Sequence, residues 1–370
     1  MPRSVTQISL IAWLAFALVA CQDRSADQNS MKVASSPAAE FGELPPDVAA
    51  CGVEPAVATL ARDWALRPAS EHAPGRDSLI GAFDLAVDAD GSLYIIDREI
   101  ARGTAVRGST LVHFGARGSG PGEFMTPTAI ARHGNTIYVA ESGRVHMFST
   151  SGEFRKSWSQ NMGGIDDIAV LGTGDLVLTR NVTPLSGAAE SNASPFVALA
   201  DSLGKINASI LKTAAGAKRH RPLLAPSINP VAVTAGRRGF AVWYPFDNYV
   251  QVFDQRGTAQ FSYIGCLPEE LENYYRKIPE GARYQNARAL TLGVLLNDDN
   301  SLVIASSDRD GDQRAIRIRR VDNTGQETSS VRAVIPGDEL FNRVVFADPQ
   351  TMIAHTLVPG MGIRRWILSH

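Results

Sequence analysis

"FDLAVDADGSLYIIDRE", Phe83 to Glu99, is two short apolar runs around a polar turn. Leu85, Ala86 and Val87 lead into Asp88-Ala89-Asp90-Gly91, and Leu93, Tyr94, Ile95 and Ile96 follow. Asp-Gly between β-rich runs is a strong hairpin signal. The pattern recurs in "TAIARHGNTIYVAES" from Thr128, "DDIAVLGTGDLVLTR" from Asp166, "NPVAVTAGRRGFAVWY" from Asn229, "LTLGVLLNDDNSLVIASSD" from Leu290 and "NRVVFADPQTMIAHT" from Asn342. The copies are spaced by roughly 40 to 60 residues, the period of propeller blades rather than of helical solenoids.

Further strands follow the hairpins. "STLVHFGARG" from Ser109, "GRVHMFSTSGEFRKSW" from Gly143, "NYVQVFDQRGTAQFSYIG" from Asn248 and "AIRIRRVDNTGQE" from Ala315 read as third strands, two of which continue past a Ser-Gly or Arg-Gly turn into a fourth. The expected fold is therefore all-β, a six-bladed β-propeller of four-stranded antiparallel blades. The last copy lacks its fourth strand, because the chain stops at "GIRRWILSH". An alternating stretch, "VATLARDWALR" from Val57, is available to pair with the C-terminal blade and close the ring.

Between the first two copies lies "GARGSGPGEF", Gly115 to Phe124, with Pro127 just beyond. Gly118-Ser119-Gly120-Pro121-Gly122-Glu123-Phe124 resembles the glycine-rich connection of NHL-type propellers, which passes from an outer strand to the next inner strand. Glycines permit positive φ during such a crossing, and the prolines discourage helix. The resemblance covers about Val57 to His370, and only the first crossing carries the motif.

The N-terminus reads as an address. "MPRSVTQISLIAWLAFALVAC" has a basic start at Arg3, an apolar run from Ile8 to Ala20 and small residues before Cys21, which is a secretory signal too short for a spanning helix. Leu18, Val19, Ala20 and Cys21 resemble the bacterial lipobox, implying cleavage before Cys21 and acylation of its thiol. Two or three acyl chains suffice for stable anchoring. Gln22 follows in place of the aspartate that favours inner-membrane retention, so the expected site is the outer membrane, facing the periplasm or the cell surface. Residues 1–20 are thus signal, 21–50 a polar, Pro-containing tether, and 51–370 the propeller. Such a tether spans roughly 30 Å, from about 5 to 6 Å times the square root of its length.

Cys51 and Cys266 remain after Cys21 is acylated. In an oxidising compartment they are either a disulfide, closing a very long loop and contributing roughly 5 kcal/mol on the chain-entropy account, or two thiols in different blades. Net charge is −2 over 370 residues, which offers no field for nucleic acid.

Inner strands of a propeller line a central channel, so the residues that begin them are candidates for a channel or ligand-binding site. Asp84, Asp166, Asp167, Asn229, Arg288 and Arg343 are the principal ones. Their plainer reading is the capping of strand starts. Similar propeller lactonases and lyases hold Ca²⁺ or Zn²⁺ in the channel, and carboxylates and amides here suit Ca²⁺. No ligand set of those enzymes matches residue by residue, so no cofactor is predicted and no catalytic residue is assigned. The seven histidines show no zinc spacing, and "DRDGDQ" from Asp308 lacks the later Gly and Glu of a calcium loop.

Six of the eight tyrosines fall between Tyr244 and Tyr284. Within that span "LPEELENYYRKIPEGARYQ" from Leu267 breaks the blade pattern and reads as a helical insertion at about 267–286, with Tyr274 and Tyr275 on one face. It either packs on the ring's edge or, with Tyr244, forms an aromatic surface for an envelope protein, peptide or glycan. The expected function is a lipid-anchored binding or protein-interaction scaffold. The alternative is a metal-dependent hydrolase or lyase with its site in the channel.

Overall fold

The computed structural model describes residues 55–66, 81–88, 90–159, 164–180, 195–212, 232–245, 249–265, 291–310, 313–335, 341–348, 351–356 and 362–369. Cys21, Cys51, Cys266, Asn229, Arg288, Tyr274, Tyr275 and the 267–286 insertion lie outside them, and Tyr244 is described in its backbone only.

The first sheet is built from β2 (Ala82–Val87), β3 (Leu93–Asp97), β4 (Arg102–Arg107) and β5 (Thr110–Phe114). The second contains β6 (Pro127–His133), β7 (Thr136–Glu141), β8 (Arg144–Ser149) and β9 (Phe154–Ser159). The third contains β10 (Asp167–Val170), β11 (Leu176–Thr179), β12 (Pro195–Ala200) and β13 (Ile206–Lys212). The fourth contains β14 (Ala232–Ala235), β15 (Gly239–Tyr244), β16 (Tyr249–Asp254) and β17 (Ala259–Ile264). Each is an antiparallel meander in sequence order. The strand around Leu111, read from sequence as third, is fourth. Arg102–Arg107 precedes it, and its polar ends with Gly103 hide its strand character.

The remaining strands form one sheet of eight. β18 (Thr291–Leu296), β19 (Leu302–Asp310), β20 (Gln313–Val321) and β21 (Glu327–Val334) occupy one half, and β22 (Phe341–Phe346), β23 (Thr351–Thr356) and β24 (Gly362–Ser369) the other. β1 (Ala56–Leu66) lies between the halves. Ala56 to Ala58 run parallel to β21, and Thr59 to Leu66 run antiparallel to β24. The expectation of six blades in a ring closed by the N-terminal strand is therefore corrected to five blades among the described residues. The physical reason is that β1 is no outer edge. Both its sides are hydrogen-bonded, so it welds two strand groups into one sheet instead of completing a separate sixth blade.

The first strands of the sheets pack on one another in succession, β2 on β6, β6 on β10, β10 on β14 and β14 on β18. β22, at the far edge of the eight-stranded sheet, packs on β18 and on β2. Sheets radiating from a shared inner wall define a β-propeller. Its apolar residues are buried between neighbouring sheets: Tyr94 and Ile96 of the first sheet meet Ile137, Val139 and Phe148 of the second. Phe124 from the glycine-rich crossing is fully buried in that layer, its ring 5.6 Å from Phe148. Gly115, at φ +69°, is required there, because a Cβ would stand 2.2 Å from the Phe124 ring.

A second contact repeats at the outer hairpins. Asp201 Oδ1 accepts from the amides of Leu203 and Lys205, Asp254 from Arg256 and Thr258, and Asp322 from Thr324 and Gln326. Ser149 takes the same place in the second sheet, its hydroxyl accepting from Glu153. The glycine closing each turn rests on the outer strand of the sheet before it. Gly152 meets Val112, Gly204 meets Trp158, Gly257 meets Ile210 and Gly325 meets Phe261.

These contacts give a paired prediction. Gly204 has φ +87° and a Cβ there would lie 2.4 Å from Trp158, whereas Gly174 has φ +90° with nothing within 4 Å. Both alanine substitutions carry the left-handed backbone penalty of about 1 to 2 kcal/mol. Gly204→Ala adds overpacking of about 1 to 3 kcal/mol and should be the more destabilising in chemical denaturation.

Candidate functional site

The inner strands begin with an irregular register that aims side chains at the axis. Phe83, Thr128, Leu292 and Asn342 are each the extra residue of a bulge, and Asp166 donates its amide to Thr179, the residue that Asp167 also opposes. A bulge bends the strand and redirects its next side chain. Asp84 and Arg343 each directly follow such a residue, and Asp167 stands at the start of β10.

These three meet. Arg343 Nε is 3.0 Å from Asp84 Oδ1, and its Nη2 is 3.3 Å from both oxygens of Asp167. The carboxylates are alike in their other partners. Asp84 Oδ1 accepts from the Leu85 amide at 2.7 Å and Oδ2 from the Ile130 amide of the next sheet at 2.9 Å. Asp167 Oδ1 accepts from Ile168 at 2.9 Å and Oδ2 from Val233, again of the next sheet, at 3.0 Å. Where β18 meets β22, no carboxylate of the described residues intervenes. Gly293, the residue after its bulge, lets the Val344 carbonyl approach to where a Cβ would be 1.9 Å away.

The electrostatics follow from burial. The Asp84 side chain is fully buried and that of Asp167 is 4% exposed, while Arg343 retains 25%. Desolvation raises Asp84 from 3.8 to about 6, against the pull of Arg343 and with a further push from Asp167. Burial alone would lower the Arg343 guanidinium, but the facing Asp167 and Asp84 outweigh it and hold it above its ordinary value.

Of the six channel candidates, Asp84, Asp167 and Arg343 form this cluster. Asp166 is half-buried beside it and faces Arg180 rather than Arg343. Two further carboxylates, which sequence reasoning missed, hold the chain as it enters the inner strands. Asp97 Oδ2 accepts from Gly81, and Glu141 Oε2 accepts from Met125 and Thr126. Glu141 Oε1 also lies 3.2 Å from Nε2 of the fully buried His146, over which the Phe124 ring stands edge-on. The available signal was an acidic residue ending the second strand of both blades, in "IIDRE" and "YVAES". Among the described residues no three His, Cys, Asp or Glu side chains gather as a metal-holding group.

No protein-family model matches the chain, and no curated protein matches it. Solved structures do resemble it. A Bacteroides fragilis protein assigned as exported superposes with TM-score 0.50 at 13% identity, over 80% of this chain and 83% of that one. A streptogramin B lyase gives 0.47 at 10% identity over 77% and 78%, and the WD40 repeats of RRP9 give 0.49 at 10% identity over 86% and 100%. At such identities the likeness is one of fold alone.

Arg343→Met leaves two buried carboxylates facing each other without a cation. It should cost about 3 to 5 kcal/mol in urea unfolding at pH 7.5, and less at pH 5, where one carboxyl can hold a proton instead.

Proposed function

We propose that the protein is an exported, lipid-anchored β-propeller that serves as a binding or protein-interaction scaffold in the cell envelope. The observation that carries this reading is the state of the axial carboxylates. Every oxygen of Asp84 and Asp167 accepts a backbone amide, and Arg343 stands between them. Groups engaged in this way join sheets and are not free to activate water or coordinate a substrate. Ca²⁺ takes six to eight oxygen ligands, and to use these carboxylates it would have to displace a guanidinium. Recognition then falls to the loops that carry the chain between sheets. Met125, just past the glycine-rich crossing, is 51% exposed, and Phe83, the bulge residue at the start of β2, is 40% exposed with Arg98 4.9 Å over its ring. An exposed aromatic–arginine pair and an exposed methionine are each suited to a protein, peptide or glycan partner.

The address rests on sequence. Arg3, the apolar run Ile8–Ala20, the Leu18–Cys21 motif and the polar stretch after it support export, acylation at Cys21 and a site at the outer membrane. The Gly118–Phe124 crossing supports kinship with NHL-type repeats. Near-neutral charge and this address favour envelope partners over nucleic acid.

Two measurements test the reading. Purified protein lacking the first 21 residues should contain no stoichiometric metal by mass spectrometry and give no heat with Ca²⁺ or Zn²⁺. One tightly bound ion, lost in Asp167→Asn, would instead favour the hydrolase or lyase alternative. Radiolabelled palmitate should enter the full chain in cells and fail to enter Cys21→Ser. Equal labelling of both would refute the anchor.

A further inference from the structure

The axial triad holds an odd number of charges. Asp84 comes from β2, Asp167 from β10 and Arg343 from β22, so two carboxylates share one guanidinium where Asp84 is wholly buried. Among the described residues, the groups on the surrounding elements do not even the balance. β6 contributes the Ile130 amide, while its Thr128 hydroxyl bonds the Ile165 and Ala140 carbonyls and its Arg132 pairs with Asp88 at the far end of β2. β3 contributes Asp97, bonded to the amides of Gly81, Glu99 and Ile100. β7 ends at Glu141, bonded to Met125, Thr126 and His146. β14 and β18 contain no charged residue. Asp166, before β10, faces Arg180, which follows β11. β23 places His355 opposite Arg343 in register.

The triad lies where β22 meets β2, the contact between the far edge of the eight-stranded sheet and the first sheet. We propose that this makes the β2–β22 joint a proton-sensitive seam, looser when both carboxylates are ionised and tighter once one of them holds a proton.

The sign follows from linkage. Desolvation raises Asp84 from 3.8 to about 6, so between these values the closed joint binds more protons than the opened one. Its extra stability is fully present below the unfolded value of 3.8 and is lost as pH rises through about 6. Acidification from neutral therefore strengthens the seam, the reverse of a salt-bridged carboxylate whose value is depressed. A local opening that breaks only this joint costs less than global unfolding and reports the effect directly.

The experiment is hydrogen–deuterium exchange by mass spectrometry on the full chain at pH 5 and pH 7.5, with rates corrected for intrinsic exchange. Amides of β2 and β22 should open about tenfold less often at pH 5, while those of β16 in the fourth sheet change by less than about twofold. Asp84→Asn, which carries no titratable charge, should lose this dependence. His355→Gln, which removes the imidazole in register with Arg343, should keep it. Because Asp84→Asn takes an acceptor from a backbone amide and can unfold the chain, the unsubstituted protein supplies a second readout. Its opening at β2 and β22 should be independent of pH well above about 6 and fall by one proton's worth, tenfold per pH unit, as pH drops below it. Equal protection at both pH values, a change spread evenly over all sheets, or a dependence that vanishes in His355→Gln overturns the proposal.

Discussion

Two carboxylates bound to one guanidinium connect all five sheets. Asp84 belongs to the first and reaches an amide of the second, Asp167 belongs to the third and reaches an amide of the fourth, and Arg343 belongs to the fifth. The need for such a device is built into a propeller. Inner strands of neighbouring sheets come close without forming a ladder, and their axial amides would be left without acceptors. A carboxylate answers two of these at once, one in its own strand and one across the gap. The cost is buried negative charge, which Arg343 offsets for one carboxylate but not for both.

Much of this architecture was written locally. Asp-Gly turns between alternating runs marked the inner hairpins because the turn chemistry and the period of two agree. Residues at strand starts were candidates for the axis because inner strands must begin there. That reasoning contained Asp84, Asp167 and Arg343, but could not tell which of six such residues converge. Convergence depends on bulges, and a bulge is set by pairing across strands. The strand Arg102–Arg107 escaped notice for a related reason. Gly103 offers no side chain to read, and it is glycine because the Phe114 ring covers it, with a Cβ calculated to fall 2.1 Å from that ring. The fate of β1 was least legible. Its alternation announces a strand, but nothing in it announces two partners from the other end of the chain.

In the proposed role the division of labour is spatial. Charged residues at the axis join sheets, and the crossings, pinned from below by Asp97 and Glu141, offer side chains outward. The glycine-rich segment is thus held at several points. Phe124 is buried beneath it, the Phe124 amide donates to the Ala116 carbonyl at 2.7 Å, and Met125 and Thr126 donate to Glu141. Its glycines serve fit more than mobility, and a loop so fixed presents Met125 in one place.

The outer-hairpin glycines have a consequence for how the chain assembles. Each rests on a strand of the preceding sheet, never the following one, so every new sheet finds its docking surface already synthesised. Sheets two, three and four can be added in the order they are made, with contacts between neighbours in sequence. β1 inverts that order. It is the earliest described strand, and its partners β21 and β24 are among the last, so its backbone waits without a ladder until translation is nearly complete. Closing that longest loop is the step for which entropy is least favourable, and it makes β1, the first described strand, the last of the described strands to be fastened.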